Sequence, residues 1–250
     1  DGGAQEIVLT GVHLGSWGQD FDHPSHLFAL VERVLRDASM PRLRLSSLEP
    51  WDLDAEFFAL WSDPRLCPHL HLPLQSGSAE TLRRMARKTT PDSFARLLEA
   101  ARAAAPDVAI TTDIIAGFPG ESDASFEESL EFVRRMDFAA GHVFTYSARP
   151  GTGAARMPDQ VPAPQRKVRN ARLRSVLAES SERYRRRFVG KDLEVLWEAT
   201  DSYGPQGWRL HGLTGNYLRV TALARERLWN QLSRVRITAL DADGLVGEIL

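Results

Sequence analysis

Cys67, His69 and His71 alternate along one short apolar run, so a regular strand would point all three side chains to the same side. Two imidazoles and a thiol in that spacing could begin a mononuclear or dinuclear metal site of a barrel hydrolase. Such a site would want further histidines and a carboxylate at later strand ends, and only His142 is placed near one. The plainer reading of Cys67, next to Pro68, is a small buried hydrophobe. Asp113 lies between Thr112 and Ile114 inside another apolar run, where a carboxylate needs a partner or a ligand. Five further clusters mix small, hydroxyl, amide and charged residues: Thr10-Gly11, Ser46 to Pro50, Pro73 to Ser78, Gly117 to Glu121 and Ser147 to Thr152. Small residues let a ligand approach the backbone, and the polar groups can orient it. They contain neither the Ser/His/Asp ordering of a hydrolase nor a phosphate-cradling Gly-x-x-x-x-Gly-Lys.

Each cluster follows a strand candidate: Glu6 to Thr10, Arg42 to Ser47, His69 to Leu72, Ala109 to Ile115 and His142 to Tyr146. Between them run helical faces: Leu27, Leu30, Val31, Val34 and Leu35 after Pro24; Phe94, Leu97, Leu98 and Ala101 after Thr90-Pro91; then Phe126, Leu130 and Val133. Strand and helix in alternation predict a parallel sheet, either open and doubly wound or part of a barrel. In both, ligands bind at the C-terminal ends of the strands, where the polar clusters fall. A proline- and glycine-rich stretch over 147–165 closes this region. From Asp192 onward, about five short alternating runs predict a small closed or nearly closed β-barrel.

The 250 residues, 43% hydrophobic and 26% charged, exclude disorder, collagen-like repeats and coiled coil. No apolar run is long enough to span a bilayer, and the start has no signal-peptide character, which predicts a soluble, cytoplasmic protein with no membrane partner. One cysteine excludes an intrachain disulfide and any multi-thiolate site built from this chain alone. The chain opens on Asp1 with a strand following at once, the look of a fragment lacking its N-terminal part. Its net charge of −2 hides ten basic residues against Glu179 and Glu182 over 165–191. That run is a solvated helix face or a contact for an anionic partner, nucleic acid before membrane.

Several strings, in this order, resemble the radical S-adenosylmethionine methylthiotransferases. They are Glu6-Ile-Val-Leu-Thr-Gly-Val-His-Leu-Gly-Ser-Trp-Gly18, Arg44-Leu-Ser-Ser-Leu-Glu-Pro50, Pro68-His-Leu-His-Leu-Pro-Leu-Gln-Ser-Gly-Ser78, Met85-Ala-Arg-Lys-Thr-Thr90, Thr112-Asp-Ile-Ile-Ala-Gly-Phe-Pro-Gly-Glu121 and Tyr146-Ser-Ala-Arg-Pro-Gly-Thr152. The last sixty residues resemble the family's TRAM domain, a small RNA-binding barrel. The second and third strings look most like the branch acting on N6-threonylcarbamoyladenosine beside the tRNA anticodon. The resemblance implies an α/β fold: a partial parallel (β/α) radical-SAM barrel over 1–163, a basic connecting helix over 164–190 and a TRAM-like β-barrel over 191–250. It also implies S-adenosylmethionine and 4Fe–4S clusters as cofactors and tRNA as partner. The cluster is normally held by a Cys-x-x-x-Cys-x-x-Cys loop after the first barrel strand, and this sequence has none.

Carried onto this sequence, the resemblance assigns S-adenosylmethionine to Thr10, Gly11, Ser46, Glu49, Gln75, Ser76, Ile115, Gly117, Pro119 and Arg149, with Asp113 facing the substrate adenosine as the catalytic candidate. Arg149 would fork onto the cofactor carboxylate or an RNA phosphate. RNA would meet Arg183, Arg185, Arg186 and Arg187 of the basic run and Trp208, Asn216 and Tyr217 of the barrel. The rival readings are a non-catalytic RNA-binding module and, more weakly, the metal-dependent hydrolase built on Cys67, His69 and His71.

Overall fold

Alternation decides the architecture. In the strand Ala109–Ala116 (β4), Ile110, Ile114 and Ala116 are buried on one side, while Thr111, Asp113 and Ile115 on the other are only half-buried. Four more strands accompany it, Glu6–Leu9 (β1), Arg42–Leu45 (β2, buried at every position), His69–His71 (β3) and Ala140–Thr145 (β5), their successive side chains pointing to opposite faces. The apolar side packs on the helices Leu27–Asp37 (α1), Pro91–Ala104 (α3) and Asp123–Met136 (α4), forming the larger core. Ala79–Arg84 forms a further short helix, α2. The structure is a computed structural model and describes residues 2–46, 48–205 and 207–250; Ser47, expected to end the second strand, lies outside them.

Pairing is parallel throughout the first half: β1 with β2, β3 with β4 and β4 with β5. A parallel bridge between Leu43 and Leu66 and the bond from the Cys67 N–H to the Leu43 carbonyl carry β2 over to the approach of β3. The order is therefore sequential, with every strand delivering its C-terminal end to one edge. The sheet is curved, because residues from all five strands line one cavity of about 460 Å³ on its concave face. Among the described residues β1 pairs only with β2, and Ile7 and Val8 are 41% and 49% exposed. It is an open edge of the parallel strands.

Helix boundaries follow local chemistry. Thr90 caps α3 by accepting from the Ser93 N–H, while the Ser93 hydroxyl accepts from the Thr90 N–H, and Pro91 supplies the first helical residue. The helix Ala163–Arg186 (α5) runs back along the sheet. At its start Arg166 covers Gly117, at the C-terminal edge; near its end the Tyr184 hydroxyl donates to the Asp107 carbonyl (2.7 Å), at the N-terminal edge.

The remaining strands, Asp192–Gly204 (β6), Gly207–Thr214 (β7), Arg219–Ala224 (β8), Leu232–Leu240 (β9) and Leu245–Ile249 (β10), close into a barrel in the order β10-β8-β7-β6-β9. Gly212 permits the closure: a Cβ there would lie 2.3 Å from the Leu196 carbonyl oxygen. The barrel core of Val195, Trp197, Leu210, Val220, Val235 and Ile237 continues into Ala109, Ala139, Tyr184 and Phe188. The barrel thus sits beneath the N-terminal ends of the parallel strands.

Asn216 is central to that junction. It is buried, and its amide donates to the Tyr184 hydroxyl (2.9 Å). This corrects the expectation that Asn216 meets RNA, since its polar atoms are spent inside the protein. Asn216→Ala is expected to cost about 1–2 kcal/mol, one buried hydrogen bond plus an ill-satisfied neighbour. Urea unfolding measures it, and an unchanged midpoint would contradict the role.

Candidate functional site

The concave face is layered. At the bottom, Arg44 forks onto Glu6 (Nε to Oε1 2.6 Å, Nη2 to Oε2 2.9 Å), and Arg42 approaches the same carboxylate at 3.1 Å. All three side chains are almost fully buried. The remaining donors of Arg44 reach the Thr214 and Gly215 carbonyls of the turn between β7 and β8, and Arg42 reaches Leu213. From that turn the Tyr217 ring stacks on His69 at 4.4 Å and lies 5.0 Å below the Arg44 guanidinium. Tyr217 therefore lines the floor of the lower cavity, with 48% of its surface still exposed.

These cations also decide the metal question. Burial pushes the Cys67 thiol up, against the pull of Arg44 and Arg42, and its sulfur faces Glu6 at 3.8 Å. His69 is pushed down to about 3, first by burial, then by the Arg44 guanidinium and by His71. Two buried guanidiniums repel a metal cation, and no group of three or more His, Cys, Asp or Glu suited to a metal ion occurs among the described residues. The hydrolase reading is corrected on those grounds.

His69 has a measurable consequence. Below pH 6.5 the unfolded chain binds a proton there that the folded chain refuses until about pH 3. Stability should fall as pH is lowered through that window, by up to about 1.4 kcal/mol per pH unit from this group. His69→Gln should flatten the slope by one proton in urea midpoints measured against pH; identical slopes would contradict it.

One layer up, His71 Nδ1 lies 3.0 Å from the Thr111 hydroxyl and Nε2 lies 3.4 Å from Asp113 Oδ2. Asp113 opens into an upper cleft of about 410 Å³ that also holds Gln75, Ile115, Phe118, Tyr146 and Arg149. Asp113 Oδ1 and the Tyr146 hydroxyl are both buried without a partner among the described residues, so the cleft wall carries an acceptor and a hydroxyl with unused bonding capacity. Arg149 is exposed on the rim and Ile115 offers an apolar wall.

Four of the expected cofactor residues or their neighbours thus share one cleft: Gln75, Asp113, Ile115 and Arg149. The others divide. Thr10 and Gly11 are exposed and line a separate cavity with the loop running to Phe21. Ser46 lines the lower cavity, its hydroxyl buried and without a partner among the described residues. Glu49 is held by Arg87 at 2.6 Å. Ser76 corrects its expectation: it is fully buried, its hydroxyl engaged with Ser129 and the Ser78 N–H on the helix side of the sheet. Gly117 (φ +77°) and Pro119 are buried beneath α5 and α2, where a Cβ on Gly117 would lie 2.2 Å from Arg166 Cγ and the Pro119 carbonyl accepts from Arg84. They form the wall's support. Sequence reasoning missed His71 as Asp113's neighbour and missed Tyr146 and Phe118; the odd-numbered alternation of β3 and β4 was the available signal for the first.

The basic run is mostly spent within the chain. Arg183 pairs with Asp137, Arg186 with Glu182 and Arg187 with Asp107, while Arg185 reaches the Asp241 and Ala242 carbonyls. Trp208 lies on the barrel with Arg227 4.2 Å over its ring and Tyr203 4.7 Å away. A 4Fe–4S cluster with an open iron needs three thiolates, and the lone Cys67 is buried before β3, at the far end from the cleft. The residues of this chain do not fit the cluster. They do fit the polar groups of S-adenosylmethionine, for which the two orphaned atoms and Arg149 offer partners.

Comparison with known proteins matches residues 1–133 to the Radical SAM superfamily. The threonylcarbamoyladenosine tRNA methylthiotransferase of Thermotoga maritima is 44% identical over 198 residues, 78% of this chain and 45% of that protein. The tRNA-2-methylthio-N(6)-dimethylallyladenosine synthase of Caldicellulosiruptor saccharolyticus is 35% identical over 249 residues, 99% of this chain and 52% of that protein. Among solved structures, coproporphyrinogen III oxidase from Escherichia coli, a radical SAM enzyme, superposes with a TM-score of 0.50 at 17% identity, over 77% of this chain and 50% of its own. That likeness is one of fold. The chain spans about half the length of the curated relatives it matches. With the superfamily match covering more than half of its residues, the chain belongs to the radical SAM superfamily, and the relatives aligned along it are named methylthiotransferases.

Proposed function

We propose that this chain supplies the cofactor- and substrate-facing parts of a cytoplasmic tRNA methylthiotransferase, which adds a methylthio group to C2 of N6-threonylcarbamoyladenosine beside the anticodon. The observation that carries the reading is the upper cleft, where Asp113 and Tyr146 present unpartnered polar atoms at the C-terminal edge of a parallel sheet. S-adenosylmethionine, when bound, supplies the methyl group and the radical that removes hydrogen from an unactivated C–H. In this reading Arg149 forks onto a carboxylate or phosphate and Ile115 meets the adenine. Gln75 orients the ribose, and Asp113 accepts from the substrate adenosine. The threonylcarbamoyl branch is favoured by the 44% identity to the Thermotoga maritima protein.

The closed barrel reads as a TRAM-like RNA-binding module, with Tyr203, Trp208 and Arg227 as its aromatic and cationic patch. That patch also favours the second reading, a non-catalytic RNA-binding module. One assay separates them. Protein purified from the intact gene, loaded anaerobically with iron and sulfide, is incubated with threonylcarbamoylated tRNA and methyl-labelled S-adenosylmethionine. Label in a methylthio nucleoside supports the enzyme; RNA binding without label in a cluster-loaded protein supports the module.

A further inference from the structure

Beside the mouth, a groove of about 430 Å³ is lined by Trp51, Lys88, Thr89, Arg96 and Leu97. We propose that this groove is a nucleotide subsite that holds one unpaired residue of the RNA, its base against the Trp51 indole and its phosphate on Lys88 and Arg96. The inference rests on the reading of the substrate as RNA and adds a place where that RNA is gripped outside the cleft.

Charge carries the first part of the argument. Most arginines of α5 have partners within the chain, Arg174 being the exposed exception, whereas both Lys88 and Arg96, neighbours on one groove, are exposed and form no ion pair among the described residues. Asp92 and Glu99 share α3 with Arg96, and neither forms an ion pair with Arg96 or Lys88 among the described residues. An unpaired ammonium and guanidinium on one groove attract a phosphate. The indole carries the second part. Trp51 is 36% exposed, with the Lys88 ammonium 5.7 Å and the Arg87 guanidinium 4.8 Å from its ring centre. An exposed aromatic face beside cations suits a nucleobase, whose stacking tolerates any sequence. Thr89 adds an independent sign of a ligand: it is 5% exposed, lines the groove, and leaves its hydroxyl without a partner.

Position carries the third part. Arg87, against Trp51, also holds Glu49 after β2 (2.6 Å) and the Pro73 carbonyl after β3 (3.2 Å), two residues before Gln75 of the cleft. The groove is therefore braced against the strand ends that form the mouth, while the C-terminal barrel lies at the opposite end of the sheet. A nucleotide flipped into the cleft leaves its unpaired neighbour on the flank of the mouth.

The test is a fluorescence-anisotropy titration of a labelled anticodon stem-loop RNA against this chain at several salt concentrations, with circular dichroism melting of each variant as a folding control. K88A/R96A should weaken binding about tenfold and reduce the slope of log affinity against log salt by about 0.7, one single-strand phosphate's worth. Trp51→Leu should weaken binding about tenfold with the slope unchanged. Wild-type binding matched by both variants in affinity and slope would overturn the subsite and leave the RNA reading standing. Absence of wild-type binding to this RNA would overturn both.

Discussion

Arg44→Ala is expected to cost about 3–5 kcal/mol, about a fifth or more of the stability of an ordinary domain. The guanidinium is buried, and its loss leaves the Glu6 carboxylate with Arg42 alone while the Thr214 and Gly215 carbonyls lose their donors. Breaking one side of a buried pair costs more than the pair contributes, because the surviving charge stays desolvated. The damage should also be directional. Arg44 joins β2 to the β7–β8 turn and lies over Tyr217, so its removal loosens the barrel from the sheet. Unfolding in urea, followed by tryptophan fluorescence and by far-ultraviolet circular dichroism, should separate into two transitions where the wild type shows one. Arg44→Lys should fall between, since an ammonium cannot fork onto both carboxylate oxygens. A loss under about 1 kcal/mol with a single transition would show that the junction does not depend on this residue.

The second large effect is catalytic. In protein from the intact gene, Asp113→Asn is expected to lower methylthio product formation by about a hundredfold with iron content unchanged. One carboxylate oxygen is turned to His71 at 3.4 Å and the other is buried without a partner, so it is the second that meets a ligand donor. A hydrogen bond to a charged acceptor contributes about 1.5–3 kcal/mol, which is tenfold to more than a hundredfold in rate. The amide keeps the shape and loses the charge, and Asp113→Glu, longer by one methylene, should not restore full activity. Single-turnover measurements at saturating S-adenosylmethionine would read the loss directly. An unchanged rate would remove Asp113 from the substrate-facing machinery and leave it a structural partner of His71.

Much of the frame was legible because alternation is a local signal. The odd positions of β4 and the even positions of β2 show which side chains share the concave face, and Thr90-Pro91 marks the start of α3 without any tertiary knowledge. What escaped was set by contacts distant in sequence. Ser76 was expected at the mouth, but the close approach of Gly77 to Ser129 and Phe132 turns the loop toward α4. Tyr217 was expected on the barrel as an RNA contact; while still 48% exposed, with a left-handed backbone (φ 63°), its ring also stacks on His69, a partner 148 positions earlier in the chain by their numbers. The arginine run counted as strong positive charge until its partners, Asp107 and Asp137 among them, came from other elements. Composition counts charges, and only folding pairs them.

The most direct measurement is nucleoside mass spectrometry of total tRNA from cells lacking the gene, from the parent, and from cells complemented with the intact gene. The deletion should remove 2-methylthio-N6-threonylcarbamoyladenosine and leave its unthiolated precursor, and the intact gene should restore it. Methylthio nucleosides present at parental levels in the deletion would contradict the account.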